Sequence, residues 1–147
     1  MIDKVIFDTL VAELKTGKSN CIILKGNETL RFRLPGVKTL MTLLKEDPGF
    51  LKDSFVFDKI VGKGAAALLI LGKVKGIYAG IISEKAIALL QNNNINLSYG
   101  EKVPFIENKT KTGLCPIEAL SLESDNPQVI HEKITAFLST MNFIKTI

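Results

Sequence analysis

Residues 58–71 read Asp58-Lys59-Ile60-Val61-Gly62-Lys63-Gly64-Ala65-Ala66-Ala67-Leu68-Leu69-Ile70-Leu71, a nearly unbroken apolar run with Lys63 set between two glycines. Ile60, Val61 and the stretch from Ala65 to Leu71 leave almost no polar face, and a helix apolar all round is covered on several sides. Either Asp58 or Gly62 begins this helix, and Gly72 stops it. The segment therefore predicts the middle of a layered core.

Downstream, Val74 to Ala79 reads as a strand, Ser83 as the N-cap of a helix through Leu90, and Ile95 to Tyr99 as a further strand after the Asn92-Asn93-Asn94 break. Helix, strand, helix and strand joined by short connections make the pattern of a parallel sheet. Upstream, Phe55-Val56-Phe57 leads into the opening segment. Cys21 to Leu24 and Thr29 to Arg33 flank Gly26-Asn27 as a β-hairpin. Ile2, Val5, Ile6, Leu10, Val11 and Leu14 recur at helical spacing before a Lys15-Thr16-Gly17 stop. Val37, Leu40, Met41 and Leu44 predict a helix between Pro35-Gly36 and Asp47-Pro48-Gly49. Val103 to Ile106 adds a short extended piece, Asn108 to Gly113 a polar loop, and two short helices close the chain.

A chain of 147 residues, 46% apolar and 23% charged, is long enough to build one core without disulfide or metal staples, so residues 1–147 are expected to form a single domain. Cys21 and Cys115 are far apart and form no C-x-x-C pair, which predicts a reduced, cytoplasmic setting. MIDKVIFDTLVAELK interleaves acids and bases with apolar residues, unlike a signal peptide. The apolar run from Ala65 to Leu71 is far shorter than the roughly 20 residues that span a bilayer, so a soluble protein without membrane association is expected. A net charge of +4 with scattered lysines reads as a solvated basic surface. No Trp and only two Tyr argue against a stacking platform for nucleic acid.

Gly17-Lys18-Ser19 looks like the tail of a phosphate loop, but it precedes a strand instead of following one and is read as a helix stop. Lys63 leaves two readings open: it snorkels past an apolar surface to water, or it meets an anion together with the free N–H groups of a helix start. Cys115-Pro116-Ile117-Glu118 reads as an N-cap, a proline at the first helical position and an acid at the third. The thiol there is either a small buried residue or a reactive group favoured by the helix dipole. His131, the sole histidine, lies at the polar start of the last amphipathic helix and is expected to face solvent. One histidine and two isolated cysteines do not make a zinc ligand set, so no metal or other cofactor is expected.

The order hairpin, buried helix, strand, helix, strand resembles the cytidine deaminase fold, which implies a three-layer α/β/α sandwich with a mixed sheet. In that family H-x-E or C-x-E opens the buried helix, where this chain has Gly62-Lys63-Gly64-Ala65. The family's P-C-x-x-C motif falls on the junction Tyr78 to Ile87, with Glu84 and Ile87 at the two cysteine places. A chain lacking these motifs cannot run the zinc-hydroxide mechanism. More specifically, the sequence resembles an uncharacterised family of small prokaryotic proteins with this fold and no zinc motif. Asp58 to Lys63, Tyr78-Ala79-Gly80, Ser83-Glu84, Val103 to Asn108 and Thr112 to Glu118 carry that resemblance. That family usually has Asn-Arg before Thr-Gly-x-Cys-Pro and Gly-Lys-Ala at the helix start; here Lys109 follows Asn108, and Gly64 stands in the alanine's place.

The resemblance implies a pocket in which Lys63, Ser83, Asn108 and Cys115 face the space a deaminase uses for its base, with Asp58 and Glu84 among its ligand-binding residues. Two helix N-termini beside that space favour a small anionic or nucleotide-like ligand. A second expectation is a non-catalytic interaction or scaffolding module acting as a homo-oligomer. A third is a cysteine-dependent enzyme using Cys115.

Overall fold

The structure, a computed structural model, describes residues 2–146. Helix α1 (Lys4–Lys15) precedes the hairpin β1 (Cys21–Lys25) and β2 (Glu28–Phe32), and α2 (Gly36–Glu46) leads to β3 (Phe55–Val61). Then come α3 (Lys63–Leu71), β4 (Gly76–Ser83), α4 (Glu84–Asn92), β5 (Asn96–Val103), α5 (Pro116–Ser121) and α6 (Pro127–Thr146). Asp58 to Val61 is thus strand, and of the two possible helix starts the chain uses Gly62. Asp58 is held by ladders on both sides, opposite Cys21 of β1 and Ala79 of β4, and the β4 ladder alone continues to Val61 opposite Ile82. β4 and β5 outrun their predicted lengths because their parallel ladder continues from Gly76 opposite Asn96 to Ser83 opposite Val103. The closing helices are unequal: α5 has 6 residues, whereas α6 has 20.

The five strands form one mixed sheet in the order β2-β1-β3-β4-β5. β1 is antiparallel to both β2 and β3, while β3, β4 and β5 are parallel. Alternation along the strands divides the core. Ile22, Phe57 and Tyr78 meet Leu10 and Leu14 of α1 on one face, where Phe7 stacks edge-on to Tyr78 at 5.7 Å between ring centroids. Cys21, Ile23, Val56, Ile77 and Ala79 pack toward α2, α3 and α4 on the other. α3 is buried from Lys63 to Leu69 because α5 and α6 cover the side turned away from the sheet, with Ile130 and Ile134 of α6 closing the same core. Among the described residues, no helix is long and apolar enough to cross a membrane.

Candidate functional site

In open α/β sheets ligands settle in the crevice beyond the carboxyl ends of the parallel strands. At that end of β3 lies a cavity of about 370 Å³. Asp58, Lys59 and Ile60 line it from the strand, and Pro35, Gly36 and Val37 from the start of α2. Gly62, Gly64 and Ala65 contribute the start of α3, while Ile106, Glu107 and Lys109 come from the loop after β5. Cys115, Ile117 and Glu118 of the α5 region complete the wall.

Asp58 is the most unusual of these groups. It shares the α3 side of the sheet with Val56, is only 1% exposed, and has a carboxylate oxygen, Oδ2, buried without a hydrogen-bond partner. Gly36 makes room for it: a Cβ on that residue would lie 2.1 Å from Oδ2. Burial pushes the carboxyl up to about 7, against a smaller opposing pull from the backbone N–H groups of Ile60 and Lys59.

Glu118, 2% exposed, is built in the opposite way. Its Oε1 accepts from the backbone N–H of Lys63 at 2.9 Å and from the Ser83 hydroxyl at 3.5 Å, and its Oε2 accepts from the backbone N–H of Ile106 at 2.6 Å. The need arises at Gly62, the N-cap of α3, which has no side chain to satisfy the first N–H groups of the helix. A larger cap would crowd the site, since a Cβ on Gly62 would lie 3.1 Å from Ile106 and 3.2 Å from Glu118 Oε1. Glu118 therefore supplies from α5 the cap that α3 lacks.

The loop from Ile106 to Cys115 is folded on itself. Cys115 N–H donates to the Ile106 carbonyl at 2.9 Å and Asn108 N–H to the Gly113 carbonyl at 2.9 Å. Asn108 Oδ1 accepts from Thr112 N–H at 3.0 Å and from the Thr110 hydroxyl at 3.2 Å, and its amide donates to Thr112 Oγ1 at 3.2 Å. Asn108 thus sets the loop that brings Lys109 to the cavity.

Of the residues singled out from the sequence, the structure brings Asp58 and Cys115 to the cavity wall. Lys63 is outside the lining. Its ammonium pairs with Asp125, between α5 and α6, at 2.8 Å, and the hydrogen bond and charge of Lys63 hold the Asp125 carboxyl below its ordinary value. Ser83 lies behind the wall, capping α4 through Ala86 N–H at 3.2 Å and touching Glu118. Glu84 is exposed on the first turn of α4, and Asn108 works within its own loop. Cys115 is the N-cap residue of α5 but makes no side-chain capping bond, and it is partly buried. His131 is also partly buried, not fully solvent-facing as its polar context predicted. Sequence reasoning missed Glu118 as a site residue, although its place without a Ser or Thr partner for a capping box was a signal. Lys59 and Ile106 lay in segments that carry the resemblance but were not singled out, and Gly36 read only as part of a turn.

The wall can therefore offer an unpartnered buried acid, apolar sides from Val37, Ile60, Ala65 and Ile117, and exposed lysines Lys59 and Lys109. Among the described residues no three His, Cys, Asp or Glu side chains gather as a metal ligand set. No curated protein matches the chain. Among solved structures, a DUF1893 family protein (TM1506) from Thermotoga maritima is similar over 92% of both chains, with 29% sequence identity and a TM-score of 0.82. The family described as TM1506, a domain of unknown function (DUF1893), matches residues 9–138, a span that includes every strand of the sheet and all the cavity residues. The chain belongs to the DUF1893 family.

Proposed function

We infer that this chain is a small-ligand-binding domain on a zinc-less, cytidine deaminase-like scaffold, with the cavity at the end of β3 as its binding site. The observation that carries this reading is Asp58: one of its carboxyl oxygens, Oδ2, is buried without a hydrogen-bond partner, which costs on the order of 1–3 kcal/mol, and the residue lines a cavity of about 370 Å³. That volume falls at the lower end of the roughly 300–1,000 Å³ typical of small-molecule pockets, and mostly apolar walls with a few convergent polar groups are their usual lining. A nucleotide-like or other anion-bearing molecule suits the lysines at the wall. The experiment is a thermal-shift screen of nucleosides, nucleotides and small carboxylates on the full chain. Stabilisation by a subset of these, lost when Ile117→Trp fills the cavity, is the expected result; a flat response across the screen counts against the reading.

A further inference from the structure

The buried ionisable groups of the lining are both acids, Asp58 and Glu118, whereas its exposed ones are Lys59, Glu107 and Lys109, which constrains how a ligand can lie in it. The deep positions where an anion would find helix N–H groups are already taken. Glu118 holds the Lys63 N–H at the start of α3, Ser83 caps α4, and the Lys63 ammonium is turned to Asp125. What the inner wall leaves unmet is an acceptor, Asp58 Oδ2, beside Gly36. The cations of the lining, Lys59 and Lys109, are both exposed.

We propose that the cavity takes its ligand head first: an N–H-bearing head of the amidine or amino-heterocycle class hydrogen-bonds Asp58, and an anionic tail stays at the mouth with Lys59 and Lys109. The proposal rests on the ligand-binding reading above and adds to it the chemistry of the two ends. A buried acceptor discriminates strongly for a ligand that donates to it, because an analogue without the N–H leaves the carboxyl unpaired. Carboxyl charge and a cationic or neutral N–H head are both accommodated, since Asp58 titrates near neutrality. An anion presented to the inner wall would instead meet two carboxyl groups, Asp58 and Glu118.

The test is a titration of the full-length wild-type chain, followed by amide chemical shifts and calorimetry. The probes are benzamidine, 4-aminopyrimidine and the 5′-monophosphates of adenosine and cytidine, set against 4-methoxypyrimidine, benzoate and inorganic phosphate. N–H-headed probes are expected to shift the amides of Gly36, Val37, Lys59 and Ile60, and Asp58→Ala is expected to weaken them at least about tenfold. Lys109→Ala should weaken the monophosphates while leaving benzamidine unchanged. Methoxypyrimidine or benzoate moving the same amides as strongly, with no response to Asp58→Ala, would overturn the head assignment while leaving a binding cavity. No probe moving these amides overturns both the head assignment and the ligand-binding reading. The wild-type shift map needs no variant, so misfolding of Asp58→Ala does not blunt the test.

Discussion

Glu118 and Lys63 stand 55 residues apart in sequence, and the carboxylate of the first caps the helix that the second begins, at 2.9 Å. The same carboxylate holds Ile106, so the start of α3, the stem of the loop over the cavity and α5 share a single buried acceptor group. A buried acceptor of this kind is worth most when all its donors are satisfied together.

Glu118→Gln should expose that dependence. An amide has one accepting oxygen where the carboxylate uses two, so either Lys63 N–H or Ile106 N–H then faces an amide nitrogen. The expected loss is about 2–3 kcal/mol of stability, the range for removing a hydrogen bond to a buried charged group. Urea unfolding measures it, and faster hydrogen exchange at the amides of Lys63 and Ile106 would locate it.

Asp58 predicts an unusual pH dependence. The folded chain holds its proton up to about 7, whereas the unfolded carboxyl releases it near 3.8, so the folded state binds more protons in between. Stability contributed by this group is then highest at the acid end of that window and falls as pH rises through it, by on the order of 4 kcal/mol. Asp58→Asn should flatten the slope, matching wild type near about pH 3, below the unfolded value, and exceeding it near about pH 8 in urea midpoints. Equal wild-type and variant slopes would contradict the assignment.

Lys63 and Asp125 form a lopsided pair, with side chains 3% and 86% exposed. Removing the acid leaves a largely buried ammonium with no counter-charge, whereas replacing the lysine by an apolar chain of similar length removes the need for one. Asp125→Ala is therefore expected to lower the unfolding midpoint, and Lys63→Met in the same background to restore it. Both midpoints are read in low and high salt, where only the intact pair responds.

At Gly64 the packing leaves no room for a side chain. An added Cβ would lie 2.5 Å from Ile117 Cγ2 and 3.0 Å from Ser121 Oγ, so α5 packs closer to α3 than alanine would allow. Gly64→Ala gains up to about 1 kcal/mol of helix propensity and incurs about 1–3 kcal/mol of overpacking, for a net loss. In an Ile117→Ala background, which lacks the Cγ2 methyl, Gly64→Ala should cost less, a favourable coupling read in a double-mutant cycle.

The two thiols should separate cleanly. Cys21 is wholly buried in the sheet, and burial, with the nearby Asp58 charge, pushes its thiol well above the ordinary value. Cys115 is partly buried at the cavity wall. Iodoacetamide is expected to modify Cys115 in the native chain and Cys21 only after unfolding, as read by peptide mass spectrometry. Alkylated Cys115 should also reduce ligand-induced stabilisation, because the adduct occupies the cavity.

Much of the fold was legible because its elements announce themselves by period and by punctuation. Gly26-Asn27 marked the hairpin, Ser83 the α4 cap and Gly72 the end of α3. The opening segment was ambiguous for a physical reason: Ile60-Val61 and Ala65 to Leu71 are apolar without alternation, which erases the difference between strand and helix periods in the sequence. Only the ladders to β1 and β4 decide it. The site was less legible than the fold. Cys115-Pro116-Ile117-Glu118 correctly marked a helix start, but local sequence shows where a carboxylate sits along a helix and not which distant N–H it reaches. The same limit applies to Lys63, whose partner lies past α5, and to Gly36, whose importance comes from the carboxyl packed against it.

The burial of α3 also sets an order of events during synthesis. Its sheet face can be covered once β4 and α4 have emerged, but its outer face, with Gly64 against Ile117 and Ile134, waits for the last two helices. Until they form, the outer face of the most apolar segment of the chain has no cover, and its first N–H has no acceptor. The outer face of α3 is thus the last part of the core to close, first as Glu118 caps the helix from α5 and then as Ile134 of α6 packs beside Gly64.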